Sequence, residues 1–453
     1  MAYPTVKFNS STGSDTQASG AGPTTALFGT NASFAGSVWT LDGSPDLSGV
    51  AVDGSHVIWA NTTTGRQFFS ITAKDNALKT VTVADAPAGT ATGRTWGIGG
   101  KRQTLNAASS RTLFAVTVGA KAGWIIDIEA AADYVLTTEL DISFLGSIAD
   151  GPIRIYSSSG TKPVITSSTS GIHLFDVGTA QAVNFQNLKF THSGATRGHG
   201  ITSWASMTQF CWFDNLEFDG CQVGIRGSYG SDWTFQNCSF TRIVSKNCTS
   251  HGIEIAGEGN ILSGLYVHHN AGSGIYGTGG SNIGTHAIVN ALITNNTGRG
   301  IYWNSTENNI HGVSIVNCTI ANNGSDGIRN IMGTGFNTRY THLVNTILYG
   351  NLGWGVYVDN PLLVLSGNNN AYGANSLGHR NGFSALPGDV DLTANPFTAA
   401  LDYTLNNIAG GGAACRGAGF PGTIDGLVGG FSVGAMQLGT GGGGSPTTRS
   451  YGA

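Results

Sequence analysis

A glycine followed by an aliphatic residue recurs through the middle of this chain. The pairs are Gly171-Ile172, Gly200-Ile201, Gly224-Ile225, Gly252-Ile253, Gly274-Ile275, Gly300-Ile301, Gly327-Ile328 and Gly355-Val356. Their spacings are 29, 24, 28, 22, 26, 27 and 28 residues. A period of that size, with short strand patterns and no helical periodicity, predicts an all-β parallel solenoid. In such a fold each turn buries its apolar residues only against its neighbours.

A second marker runs beside the first. Asn187-Leu-Lys-Phe190, Asn215-Leu-Glu-Phe218, Asn237-Cys-Ser-Phe240, Asn290-Ala-Leu-Ile293, Asn317-Cys-Thr-Ile320 and Asn345-Thr-Ile-Leu348 each open a short strand, and Gly264-Leu-Tyr-Val267 fills one gap. In the last four turns this site precedes its glycine by 10 residues, from 264 to 274, 290 to 300, 317 to 327 and 345 to 355. Asn suits a corner between strands because it tolerates the left-handed region. Asn stacked on Asn in successive turns is a further expectation. Alternation places Leu188 and Phe190 inside and Lys189 outside.

The period divides the chain. Residues 1–105 lack it and carry alternating β segments between turn residues, such as Ser37–Leu41, His56–Trp59, Phe68–Ile71 and Thr80–Val83, which predicts a small β domain. Residues 106–375 form the solenoid, opening with irregular turns before 171. Residues 376–437 read as a loop-rich C-terminal cap, and 438–453, with Gly441-Gly-Gly-Gly-Ser-Pro446, as a flexible tail.

Only 11% of the residues are charged, with a net charge of −4, so there is no basic stripe for nucleic acid. No stretch is apolar enough to insert in a membrane, and the opening Met1–Ser11 lacks the apolar core of a signal peptide. The composition is nevertheless low in Lys and rich in Gly, Asn, Ser and Thr, as in proteins that work outside cells. A virion component, made in host cytoplasm and released on lysis, reconciles the two. The six cysteines read as small buried residues, with Cys238 and Cys318 at the inward site of Leu188 and Leu216. No cluster has zinc spacing, and Gly97-Ile-Gly-Gly-Lys-Arg102 lacks the phosphate-loop pattern, so neither metal nor cofactor is expected.

The residue after each Gly-aliphatic pair points outward: His173, Thr202, Arg226, Glu254, Tyr276, Tyr302, Arg329 and Tyr357, with Trp204 and Asp359 two residues further on. Trp204, Arg226, Tyr276, Tyr302, Arg329, Tyr357 and Asp359 make a candidate sugar-binding surface, because flat rings cover sugar faces and charged groups bond hydroxyls. Tyrosines also simply suit the outer face of a sheet. Hydrolysis of a glycosidic bond needs two carboxylates. Glu254 is the first candidate, with Glu217 and Asp232 as its leading partners and Asp214, Asp219, Glu258 and Asp326 behind them. Acids on a soluble face are also commonly just solvated.

These residues resemble the right-handed parallel β-helix superfamily of pectate lyases, polygalacturonases and phage tailspikes. The resemblance covers about 200 residues of Gly-Ile/Asn register and the ending from Asp402-Tyr-Thr-Leu to Val433-Gly-Ala-Met. Gly198-His-Gly200 and His251-Gly252 are similar to a polygalacturonase element, but that family's Asn-Thr-Asp and Asp-Asp are missing. The N-terminal domain followed by Trp96–Arg102 is similar to that of phage structural β-helix proteins. The resemblance implies a tailspike or tail fibre: residues 1–105 attach to other virion proteins, the solenoid binds or degrades host cell-surface glycan, and the assembly is a homotrimer. The alternatives are a stand-alone polysaccharide lyase or glycoside hydrolase, and a non-catalytic capsid or tail decoration.

Overall fold

The computed structural model describes residues 5–9, 27–52, 56–62, 65–84, 90–98, 105, 123–130, 132–142, 152–178, 180–203, 208–227, 234–278, 286–305, 312–332, 339–358 and 363–416. They belong to two compact units, Met1–Val244 and Ser245–Ala453. Among the described residues both carry a parallel β-solenoid whose complete turns contribute one strand to each of three long sheets. Among the described residues no helix is long and apolar enough to cross a membrane.

In the first unit the first sheet runs Thr5–Phe8, Ile125–Ile128, Ile153–Tyr156, Val183–Gln186, Trp212–Asp214 and Ser239–Thr241, all parallel. The second sheet holds Leu140–Asp141, Phe175–Asp176, Ile201–Ser203 and Ile225–Gly227. The third holds Tyr134–Val135, Val164–Ser167, Lys189–His192 and Glu217–Asp219. Leu188 and Phe190 are fully buried and Lys189 is half-exposed, as alternation requires. In-register phenylalanines stack through the interior, Phe185 on Phe213 at 5.1 Å and Phe213 on Phe240 at 4.8 Å. Each such pair adds about 0.5–1.5 kcal/mol beyond its buried area.

The predicted N-terminal β domain is a closed antiparallel barrel. Its strands run Leu27–Ala35, Val38–Thr40, Thr80–Val83, Gly65–Asp75, Val57–Thr62 and Thr90–Ile98 around the circle. It has its own core, built on Phe34, Trp39, Ile58, Phe69, Ile71 and Trp96. The Trp96 indole N–H donates to Asp42 at 2.6 Å, and Lys74 Nζ donates to three carbonyls of the 47–50 loop at 2.6–2.8 Å. Residues 5–8 lie outside the barrel and pair with Ile125–Ile128. The barrel is therefore an insertion between the first two strands of a solenoid sheet, rather than a domain occupying all of residues 1–105.

In the second unit the first sheet is Ile261–Ser263, His286–Val289, Val313–Val316, Arg339–Val344 and Leu363–Asn368. The second is Ile253–Ile255, Ile275–Thr278, Ile301–Ser305, Ile328–Met332, Trp354–Val358 and Gly378–Asn381. The third is Tyr266–His268, Leu292–Thr294, Thr319–Ala321, Ile347–Tyr349, Ala371–Gly373 and Val390–Asp391. Two strands thus continue the solenoid past residue 375, where the periodic markers stop. The hairpin of Phe397–Ala399 and Asp402–Leu405 then folds onto the third sheet, burying Phe397 and Tyr403 with Ile347 and Ala371. The tail proposed for 438–453 lies outside the described residues.

The corners explain the Asn marker. Asn187, Asn215, Asn290, Asn317 and Asn345 all take φ between 49° and 58°, turning the chain from the first sheet to the third. Asn237 is one corner out of step. It precedes the first-sheet strand Ser239–Thr241, so Cys238 matches Cys211 rather than Leu188 and Leu216. Arg242, with φ 55°, makes the corner that Asn215 makes one turn earlier. Cys318 does occupy the predicted inward site. All six cysteines are buried, and burial pushes the Cys318 thiol up to about 12.

A different set of asparagines does the stacking. After the left-handed corner from the third sheet to the second come Asn270, Asn296, Asn323, Asn351 and Asn375, which sit inside the turns. Each Nδ2 donates to the Oδ1 of the next, at 2.9, 3.0, 3.0 and 2.9 Å. The same Oδ1 atoms accept the backbone N–H of the preceding ladder asparagine at 3.1–3.2 Å. Buried amides are tolerated because nearly every donor and acceptor is used.

The recurring glycines are required by close approach. A Cβ on Gly200, Gly252, Gly274, Gly300, Gly327 or Gly355 would lie 2.5–2.8 Å from a carbonyl oxygen of the adjacent turn. On Gly252, Gly274, Gly300, Gly327 and Gly355 it would also lie 2.8–3.0 Å from the Nδ2 of a ladder asparagine.

Candidate functional site

The second sheet carries the predicted outward residues. In the second unit Glu254 pairs with Tyr276, Tyr276 with Tyr302, Tyr302 with Arg329, and Arg329 with Tyr357. In the first, Thr202 pairs with Arg226, and the residue before them in register is Asp176. His173 is therefore misassigned by the Gly-Ile rule. The Gly171 turn (φ 79°) lies three residues too early, and the true equivalent of Ile201 is Phe175. Trp204, Asp232 and Asp359 lie outside the described residues.

His173 belongs to a second outward position that the sequence reading missed. It lies two residues before Phe175, the residue in register with Ile201, and in each of the other turns the residue after this position is the repeat glycine. The occupants are His173, His199 and the buried Val223 in the first unit, and His251, Ser273, Arg299, Asp326 and Trp354 in the second. The usable signal was the residue preceding each glycine, which alternation alone does not reach because it lies outside the strand.

In the first unit these residues form a histidine stack capped by a guanidinium. The His173 and His199 rings lie 4.4 Å apart and nearly parallel. His173 Nδ1 accepts the backbone N–H of His199 at 3.1 Å. Arg226 lies 2.7 Å from His199 Nε2, and because a guanidinium only donates, that nitrogen carries no proton. Burial, followed by the charge of Arg226, brings His173 down to about 4. His199 is held down to about 2 by burial and then by His173 and Arg226.

In the second unit the two positions interlock. Tyr276 stacks on His251 at 4.4 Å and meets Tyr302 at 5.3 Å, and its hydroxyl accepts from Asn304 Nδ2 at 3.2 Å. The Arg299 guanidinium lies 4.2 Å over the Tyr302 ring, and that of Arg329 lies 4.5 Å over Tyr357. Asp326 is buried between them. Its Oδ2 accepts from Arg299 Nε at 3.4 Å and Arg329 Nη1 at 3.5 Å, and its Oδ1 from the backbone N–H of Trp354 at 2.9 Å. The three tyrosines and Arg329 are half-exposed, whereas Glu254 is only 6% exposed.

The acids do not all meet. Glu217 is on the third sheet, ion-paired with Lys189 at 3.0 Å, whereas Glu254 is on the second. Asp214 forms a two-bond ion pair with Arg242, and Asp219 lies 3.9 Å from Lys189. Glu254 and Asp326 share a face but are three turns apart, about 14 Å at about 4.8 Å per turn. That exceeds the about 6.5–9.5 Å of an inverting pair. Among the described residues no group of three or more His, Cys, Asp or Glu could hold a metal ion.

Residues 153–315 match the family model described as the right handed beta helix region. No curated protein sequence matches the chain. Similar solved structures include pectate lyase Pel9A, at 14% identity and TM-score 0.41 over 75% of this chain and 91% of that one. The catalytic domain of a GH87 α-1,3-glucanase gives 12% and 0.41 over 81% and 91%. The mannuronan C-5 epimerase AlgE6 A-module of Azotobacter vinelandii gives 13% and 0.35 over 60% and 91%.

Proposed function

We propose that this right-handed parallel β-helix protein binds polysaccharide along the second-sheet face of its Ser245–Ala453 unit, and that it serves as a tailspike or tail-fibre protein of a phage particle. The observation that carries the binding reading is the register from Glu254 through Tyr276, Tyr302 and Arg329 to Tyr357. From Tyr276 to Tyr357 the stacked turns repeat a half-exposed aromatic or cationic side chain at about 4.8 Å intervals, which suits a polymer that itself repeats. The particle reading is supported by the barrel at 27–98, whose separate core makes it a module that can dock without disturbing the solenoid. On this reading host cell-surface glycan and other virion proteins are the partners, the assembly is a homotrimer, and no cofactor is needed.

A depolymerase is the second reading. Glu254 is nearly buried and in register with Tyr276, whose ring stacks on His251, so a carboxylate, a phenol and an imidazole are grouped on one face. These are the group types that proton transfer in a lyase or hydrolase uses.

Incubating the purified protein with host capsule and lipopolysaccharide tests both. Retention without new reducing or unsaturated ends is expected for a binding protein, and new ends lost in Glu254→Gln for an enzyme. No retention on any host glycan removes both. Detection of the chain in purified particles, and its mass by sedimentation, test the virion and trimer parts.

A further inference from the structure

We infer that the Arg299–Asp326–Arg329 cluster is a subsite for a carboxylate-bearing sugar, with Asp326 as a positioning residue. This rests on the polysaccharide-binding reading above and names the class of ligand that one part of the face selects.

Two of the tyrosines no longer offer both ring faces to a sugar. A ring offers a sugar its flat face, but the Arg299 guanidinium already covers one face of Tyr302 at 4.2 Å and Arg329 one face of Tyr357 at 4.5 Å. At these two turns the outer surface is a guanidinium laid on a ring. Such stacking holds the planar fork in place and lowers the entropy lost when it binds. A guanidinium presents five N–H donors and no acceptor. Asp326 takes one N–H from each arginine, at 3.4 and 3.5 Å.

Charge points the same way. Two cations share one carboxylate among the described residues of the cluster, leaving one positive charge that Asp326 does not balance. Among the described residues of this face in the second unit the other acid is Glu254, two turns from Tyr302, about 10 Å along the stack. A neutral sugar would satisfy some of the N–H groups but not the charge. A carboxylate does both, with the paired bonds a guanidinium forms best. Asp326 is 3% exposed and is also held by the Trp354 backbone N–H, so it is placed to fix the two arginines rather than to touch ligand.

The test uses the full-length protein with hyaluronan, heparosan and polygalacturonate, the carboxyl-reduced form of each, and dextran sulfate. At least one acidic polymer should bind tenfold or more tightly than its reduced form. The Arg299→Gln, Arg329→Gln double variant should lose that preference, while Arg242→Gln, which removes a cation from the first unit, should keep it. Asp326→Asn should reduce the preference several-fold without a matching fall in unfolding midpoint, which a merely structural role would not do. Equal binding of acidic and reduced polymers overturns the inference and leaves glycan binding standing. Equal binding of dextran sulfate shows charge attraction alone and also overturns it. Binding of none of these polymers overturns the carboxylate assignment, and the host-glycan assay then decides the broader reading separately.

Discussion

At the residue scale the molecule depends on amides and imidazoles placed where water does not reach. Asn323 accepts from the backbone and side chain of Asn296 and donates to Asn351 and to the Ile293 carbonyl. Asn323→Ala leaves several of these groups buried without partners, at about 1–3 kcal/mol each. The expected loss is on the order of 3 kcal/mol in urea unfolding. Asn317→Ala instead forces alanine to φ 54°, costing about 1–2 kcal/mol, and Asn317→Gly should cost less than Asn317→Ala. Equal losses for the two alanine variants would show that the ladder is no more than a set of corners.

The histidines set an acid limb. His173 and His286 lie near 4 and His199 near 2, with burial the leading cause for each. The unfolded chain binds protons as pH falls through about 6.5, while the folded protein keeps these rings neutral. Their stabilising contribution is whole above about pH 6.5 and is lost progressively as pH falls toward the folded values. His286 is buried and its ring lies parallel to Trp303 at 5.6 Å. His286→Phe keeps a ring there and removes one titration. Urea midpoints measured at about pH 7.5, 5.5 and 4.5 should fall less steeply in this variant than in the parent. An unchanged slope would mean that His286 is not held neutral by the fold.

At the scale of the strand and turn, the Gly-aliphatic period was legible because one close approach recurs in every turn. In Gly300 an added Cβ would lie 2.4 Å from Ile320 Cγ2, 2.6 Å from the Gly327 carbonyl and 3.0 Å from Asn323 Nδ2. Two of those neighbours are fixed by the backbone and the ladder, so Gly300→Ala should cost about 1–3 kcal/mol as overpacking. Gly160→Ala, which meets nothing within 4 Å, should be near neutral in the same thermal scan. The first sheet was not legible. Its strands follow the second-sheet strands after connections of unequal length, five residues before Ile261–Ser263 and seven before His286–Val289, so no marker recurs at a fixed offset. The site was read in part for the same reason. Tyr276, Tyr302, Arg329 and Tyr357 sit at a fixed offset inside strands. Arg299 and Asp326 sit before the glycine, where no strand alternation applies.

At the scale of the whole molecule, the N-terminal boundary is where local reading fails. Thr5–Phe8 is an ordinary alternating strand, and nothing near it announces that its partner is Ile125–Ile128. Only the pairing shows that the barrel interrupts a solenoid sheet. The barrel closes on itself, so none of its strands has an edge to share, and its core residues lie between Ala32 and Ile98. Closure and a private core make it removable in energetic terms, since excision exposes no apolar face of its own making. Replacing residues 27–98 by a short Gly/Ser linker should leave the far-ultraviolet spectrum of the remaining chain close to the parent's, and under the tail-fibre proposal it should also leave glycan retention in place while abolishing incorporation into particles. Loss of glycan retention together with the fold would make the barrel a structural base for the first sheet. Retained incorporation would move the particle-binding surface onto the solenoid.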